Sequence, residues 1–77
     1  MVVNAYVLIT TKSGSEKEVL DALKKTKNVK DARILYGEYD IIAKLQLQDI
    51  TALNDYLLAN IRPIHGIERT TTLIVAT

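Results

Sequence analysis

No cysteine occurs in the chain, which excludes disulfides and thiolate metal sites. A single histidine excludes a multi-histidine metal site built within one chain. There is no glycine-rich phosphate loop, because Gly14, Gly37 and Gly66 each stand alone. Neither sign of charge dominates: 10 Lys and Arg against 9 Asp and Glu give a formal net charge of +1. A binder of phosphate backbones needs a concentrated basic face. The densest basic stretch, Lys24, Lys25, Lys27 and Lys30, is flanked by acids and reads as a solvated helix face. Long apolar runs are missing too, and none approaches the roughly 20 residues of a membrane span. The run from Met1 to Ile9 contains Asn4 and lacks a basic start and a small-residue cleavage site. The expectation is a cytoplasmic protein with no membrane span and no direct hold on nucleic acid.

The chain is also short. Its 77 residues set a single domain, 1–77, as the expectation. A core of this size rarely supplies more than roughly 3–5 kcal/mol. With disulfides and metals excluded, oligomerisation is the remaining way to stabilise it.

What is present is a clear alternation of strand and helix patterns. Val2 to Thr10 is rich in β-branched and aromatic residues and reads as a strand. Ser15 and Glu18 form a capping-box spacing, and Val19, Leu20, Ala22 and Leu23 follow at helical intervals. This predicts a helix over Glu16 to Lys27. Val29 to Tyr36 and Ile41 to Gln48 read as strands. Asp49 suits a helix N-cap, and Ile50, Leu53, Leu57 and Ile61 make one apolar stripe that ends before Pro63. His65 and Gly66 turn the chain into a last strand, Ile67 to Thr77.

The two halves echo each other 38 positions apart: Val19 with Leu57, Leu20 with Leu58, Leu23 with Ile61, Val29 with Ile67. Two βαβ units in tandem predict an α+β, ferredoxin-like βαββαβ fold, a four-stranded antiparallel sheet with two helices on one face. The other face should then be polar. It is not: Ala5 to Ile9 and Leu73 to Ala76 are apolar on both faces. The uncovered face should therefore expose Tyr6, Leu8, Ile42 and Ile74 or their neighbours. A contiguous apolar patch marks an interface, so two chains are expected to pack these faces together.

Few residues carry chemistry. No nucleophile lies near His65 in a recognisable motif, and no catalytic residue, metal site or cofactor is predicted. The informative stretch is the bend Gly37-Glu38-Tyr39-Asp40. Gly37 lets backbone N–H groups approach a ligand carboxylate closely. The Asp40 carboxylate can pair with an ammonium group, and the Tyr39 ring can lie against an aliphatic side chain. Thr70, Thr71 and Thr72 offer hydroxyls in the last strand. The expected sheet order sets the second and last strands at opposite edges, so turn and threonines would meet only through another chain.

Two motifs carry a resemblance that spans essentially the whole chain: Gly37-x-Tyr39-Asp40 after the second strand, and Gly66-Ile67-x-x-Thr70-x-Thr72 at the last. With the helix and strand spacing, they make the chain similar to the effector-binding RAM domain (regulation of amino-acid metabolism) of the Lrp/AsnC transcriptional regulators. The resemblance implies sheet-to-sheet dimers that assemble into octamer or decamer rings. It implies a small amino-acid effector in clefts between dimers. Carried over by position, Gly37, Glu38, Tyr39 and Asp40 would line that cleft, with Thr70 and Thr72 from a neighbouring chain. Most members carry an amino-terminal DNA-binding module, for which no room precedes the first strand here. The expectation is a stand-alone sensing module that acts through partners such as full-length regulators of the same family.

Two other functions remain open on the residues. A dimeric α+β-barrel enzyme, such as a monooxygenase or isomerase, would use His65 and Tyr36 and needs a cavity between helices and sheet. A ligand-free interaction module docked on a full-length regulator would use the same assembly surfaces. The ACT domain, a further amino-acid binder of the same strand order, carries its ligand glycine between first strand and first helix, where Gly14 lies.

Overall fold

A computed structural model describes residues 2–77; Met1, at the head of the first apolar run, lies outside the described residues. The elements follow the order β1 (Val3–Thr11), α1 (Glu16–Lys24), β2 (Val29–Ile34), β3 (Ile41–Leu47), α2 (Ile50–Tyr56) continued by a π-helical segment (Leu57–Ile61), and β4 (Ile67–Ile74). The four strands form one antiparallel sheet in the order β2-β3-β1-β4, as the ferredoxin-like reading requires.

The strands form because their apolar residues alternate against the helices. Along β1, Ala5, Val7, Ile9 and Thr11 are buried while the residues between them are half-buried. On β3, Ile41, Ala43 and Leu45 are buried in the same way. Val19 and Leu23 of α1, with Leu53, Leu57 and Ile61 of the second helical stretch, close over them in one apolar cluster. Each large side chain fully removed from water there contributes about 1.5–3 kcal/mol.

The stripe on the second helix explains its unusual end. Leu53, Leu57 and Ile61 recur every four residues. On a regular α-helix each such step drifts by about 40° around the axis. Wider π turns reverse the drift, and the Arg62 N–H donates five residues back to the Leu57 carbonyl at 2.9 Å. All three side chains therefore stay on the core side, whereas Ile50, at the start of the stripe, is exposed.

Several boundaries differ from the sequence reading for identifiable reasons. Helix α1 ends at Lys24, three residues early, because the Thr26 hydroxyl donates to the Ala22 carbonyl at 2.7 Å and Asn28 takes a left-handed φ of 73°. The capping box does not form: the Ser15 side chain makes no cap bond, and Glu16 accepts from the Gly14 N–H instead, at 3.1 Å. Asp49 does cap its helix, accepting from the Ala52 N–H at 2.8 Å. Strand β2 stops at Ile34 and β4 at Ile74.

The uncovered face carries half-buried Tyr6, Leu8 and Ile42, as expected. Ile74 does not join them. It lies opposite Ala5 in the ladder and so faces the helix side, while Leu73, opposite Tyr6, occupies the open face. Both are substantially exposed, Leu73 at 51% and Ile74 at 45%.

Candidate functional site

The turn between β2 and β3 is built by two kinds of bond. Its ends close like a hairpin, with the Leu35 N–H donating to the Asp40 carbonyl at 2.8 Å. It is then fastened sideways to the central strand. The Asp40 N–H donates to the Ile9 carbonyl at 2.9 Å. The Thr11 N–H donates to Asp40 Oδ2 at 2.8 Å, and the Thr11 hydroxyl lies 3.4 Å from the same oxygen. Gly37 sits at φ 137° with open space around it, so the turn itself, not crowding, requires glycine there.

The Asp40 bonds give that residue a structural part beside the ligand role expected of it. Its carboxylate is already engaged with β1 as a structural tether. The free acid of the turn is Glu38, which is exposed and, among the described residues, is in neither of the two ion pairs, Lys17–Asp21 and Arg33–Asp31.

The tether also brings turn and last strand together within one chain. Glu38 and Tyr39 share a cavity of about 170 Å³ with Thr10 of β1 and with Arg69 and Thr71 of β4. The sheet order is the expected one, but the turn folds across the end of β1 to reach β4. The threonines divide between faces. Thr71 lies opposite Leu8 and faces the open side, whereas Thr70 and Thr72 lie opposite Ile9 and Val7 and face the helix side. Thr70 lines a different groove, of about 330 Å³, with Arg62, Ile67, Glu68 and Arg69. Gly37, Asp40 and Thr72 line neither space.

Arg69 and Thr10 were not singled out from the sequence, and Thr71 was noted only as one of three hydroxyls, with the site assigned to Thr70 and Thr72. Thr71 could have been found by alternation, since it differs in parity from Thr70 and Thr72. Arg69 could have been found by pairing β1 with β4, which sets it opposite Thr10.

A catalytic arrangement is not formed by His65 or Tyr36. His65 is exposed in the turn before β4, and Tyr36 stands wholly in solvent, at 105% exposure. Between helices and sheet, where a barrel-type enzyme would hold its substrate, Val7, Ile9, Val19, Leu23, Leu45 and Leu53 are fully buried in the shared core. Among the described residues no group of His, Asp and Glu is arranged to hold a metal ion, and no helix is long and apolar enough to cross a membrane.

Comparison with known proteins agrees with this architecture. The family model for the Lrp/AsnC ligand binding domain matches residues 4–77. Among curated proteins, the HTH-type transcriptional regulator FL11 of Pyrococcus furiosus is 32% identical over 71 residues, covering 92% of this chain and 46% of the relative. The chain thus spans about half the length of the curated relatives it matches. Among solved structures, E. coli AsnC superposes with a TM-score of 0.92 at 32% identity, over 97% of this chain and 51% of that one. The hypothetical protein PHS023 of Pyrococcus horikoshii gives a TM-score of 0.90 at 35% identity, over 100% of this chain and 92% of that one. FL11 is a transcriptional regulator and the matched family is a ligand binding domain, which sets the barrel-enzyme reading aside. The chain belongs to the Lrp/AsnC ligand binding domain family, a regulatory domain of ferredoxin-like fold.

Proposed function

We propose that this chain is an amino-acid-sensing and assembly module that modulates transcription of amino-acid metabolism. The observation that carries the proposal is the small cavity between the Gly37–Asp40 turn and β4, in a chain of a ligand-binding family. To that cavity the turn supplies the Glu38 carboxylate and the Tyr39 ring, while Gly37 permits the bend and Asp40 holds it against β1. Thr70 and Thr72 face away from that cavity, so they serve a ligand cleft only from a neighbouring chain.

Assembly is the second half of the proposal. The open face, with Tyr6, Leu8, Ile42 and Leu73, is the surface through which two copies pair, and dimers then close into an octamer or decamer ring. The output reaches DNA through full-length regulators of the same family as partners.

Calorimetric titration with the twenty free L-amino acids tests the sensing role, with binding expected at millimolar concentration or below. If none binds, the sensing role is wrong. Sedimentation equilibrium tests assembly: a monomer at micromolar concentration would contradict pairing through the open face. Co-purification with a full-length regulator, with and without the bound amino acid, tests the partner.

A further inference from the structure

At the end of the sheet away from the Gly37–Asp40 turn, β1 begins opposite the end of β3, with Val3 paired to Leu47. A groove of about 440 Å³ opens there, larger than either space beside the turn. Two ammonium groups line it, Lys27 and Lys30, and among the described residues no acid lines it with them. The acids next to the groove in sequence are engaged elsewhere. Asp31 accepts from the Arg33 guanidinium at 3.2 Å, and Asp49 accepts from the Ala52 N–H at 2.8 Å. Among the described residues neither lysine is in an ion pair.

Two backbone features bring these lysines to one place. Asn28 stands between them in sequence with a left-handed φ of 73°, and it grips one residue of β3 twice. Its carbonyl accepts from the Gln46 N–H at 3.2 Å, and its side-chain amide donates to the Gln46 carbonyl at 3.0 Å. The loop between α1 and β2 is thereby pinned to the end of β3. The ladder then slips: Val29 pairs with Leu45 and Asp31 with Lys44, which leaves Lys30 as the extra residue of a bulge. A bulge re-aims the side chain of the residue it adds, and Lys30 lines the groove from that position. Blunting the exposed edge of β2 accounts for a bulge. It does not account for two uncompensated ammoniums over one concave surface.

The other walls differ in kind. Val2 and Leu47 supply an apolar surface, and Gln46 and Gln48 supply carboxamides. The Gln46 amide donates to Asn4 Oδ1 at 3.2 Å, which leaves its oxygen as an acceptor. A carboxamide sets donor and acceptor side by side, the pattern that matches the edge of a nucleobase.

We propose that this groove binds a nucleoside phosphate, with Lys27 and Lys30 holding the phosphate groups and the Gln46, Gln48 and apolar walls receiving the base. Ammoniums hold phosphate oxygens by charge-assisted hydrogen bonds, and a bound dianion offsets the repulsion between the two lysines. The volume falls within the roughly 300–1,000 Å³ of small-molecule sites, and a bare phosphate would leave most of it empty. A nucleic-acid backbone offers the same anion, but a net charge of +1 does not supply the extended basic face a polymer requires. The groove lies at the other end of the sheet from the sensing cavity, so this site stands or falls without the sensing role.

The test is equilibrium dialysis of the intact chain against ADP, adenosine, pyrophosphate and a short single-stranded oligonucleotide. It is run at low salt, where exposed charges are least screened. ADP is expected to bind below millimolar concentration, with adenosine and pyrophosphate each at least about threefold weaker. Lys27→Gln and Lys30→Gln should each weaken ADP at least about threefold, within the range of one exposed charge pair. Lys24→Gln makes the same charge change in the same basic stretch but outside the groove, and should leave ADP binding as it was. Both groove lysines are exposed, so the variants should keep the fold, which circular dichroism verifies. Absence of ADP binding overturns the proposal. So do equal losses in all three variants, which would mean attraction to the basic stretch as a whole. Pyrophosphate binding as tightly as ADP would refute the base-receiving walls. An oligonucleotide that binds more tightly per phosphate than ADP would make the groove part of a nucleic-acid face and refute it too.

Discussion

Replacing Gly66 by alanine should damage this fold more than any other single added methyl group at a glycine. Gly66 has φ 101°, and a Cβ built there would meet Ser15 Cβ and Val19 Cγ2, each at 2.9 Å. Both contacts lie at the start of α1, and Val19 is fully buried, so neither neighbour can swing into solvent. The Gly66 carbonyl also accepts from the Lys12 N–H at 2.8 Å, which fixes the backbone from the other side. An unfavourable φ costs about 1–3 kcal/mol, and overpacking adds about 1–3 kcal/mol. The stiffer unfolded chain returns about 0.4–1 kcal/mol. A net loss of about 1–5.6 kcal/mol follows, against a total of roughly 4–12 kcal/mol for a domain of this size. At roughly 4–8 °C per kcal/mol, the melting temperature should fall by at least about 4 °C and by up to about 45 °C. Gly37→Ala is the control: its φ of 137° is also unusual, but no atom lies within 4 Å of the added Cβ. Both variants should be melted at one protomer concentration, because assembly makes the midpoint concentration-dependent. Equal losses in the two variants, or a loss below about 1 kcal/mol in Gly66→Ala, would show that the contact with α1 is not as rigid as the packing implies.

Three further outcomes are expected. Asp49→Ala should cost about 1 kcal/mol in urea unfolding while Ser15→Ala costs almost nothing, because only Asp49 makes a cap bond. Asp40→Ala should destabilise the fold by about 1.5–3 kcal/mol, the range for a hydrogen bond to a charged group, and should deprotect the Thr11 amide in hydrogen exchange. Burial pushes the Tyr56 hydroxyl up from its ordinary 10.0, so the folded chain holds that proton more tightly than the unfolded chain. This contribution is therefore complete below about pH 10 and lost as pH rises through the folded value. Tyr56→Phe should flatten the decline of the urea midpoint between pH 9 and 11.

The fold was legible because its information is periodic and local. Val19, Leu23, Leu53, Leu57 and Ile61 recur at helical spacing, and the 38-residue echo repeats the pattern. On β1 and β3 the sequence reading carried the open-face residues Tyr6, Leu8 and Ile42, which are half-buried there. What escaped was set by pairing across the sheet. The face of Ile74 depends on its register with Ala5, which no local pattern encodes. The same holds at the site. Gly37 to Asp40 could be found as an unusual turn, but the commitment of Asp40 to Thr11 joins residues 29 positions apart. Arg69 reaches the turn only because β4 pairs with β1 and the turn crosses the end of β1. The Ser15 capping box misled because the Ser15 N–H, which Glu18 would have to accept, already donates to the Lys12 carbonyl at 2.9 Å.

The tether at Asp40 makes the turn a lever with its fulcrum on the central strand. Any ligand that displaces the turn also pulls on Thr11 and on the Ile9 carbonyl, and the next residue along from Ile9 is Leu8 on the open face. Under the proposed function, ligand occupancy and face-to-face pairing share one mechanical element. Such linkage is reciprocal: the factor by which a ligand tightens pairing is the factor by which pairing tightens the ligand. Asp40→Ala removes the side-chain half of the link, the bonds to Thr11, and keeps the backbone bond to Ile9, so it should leave both equilibria measurable but weaken the coupling between them.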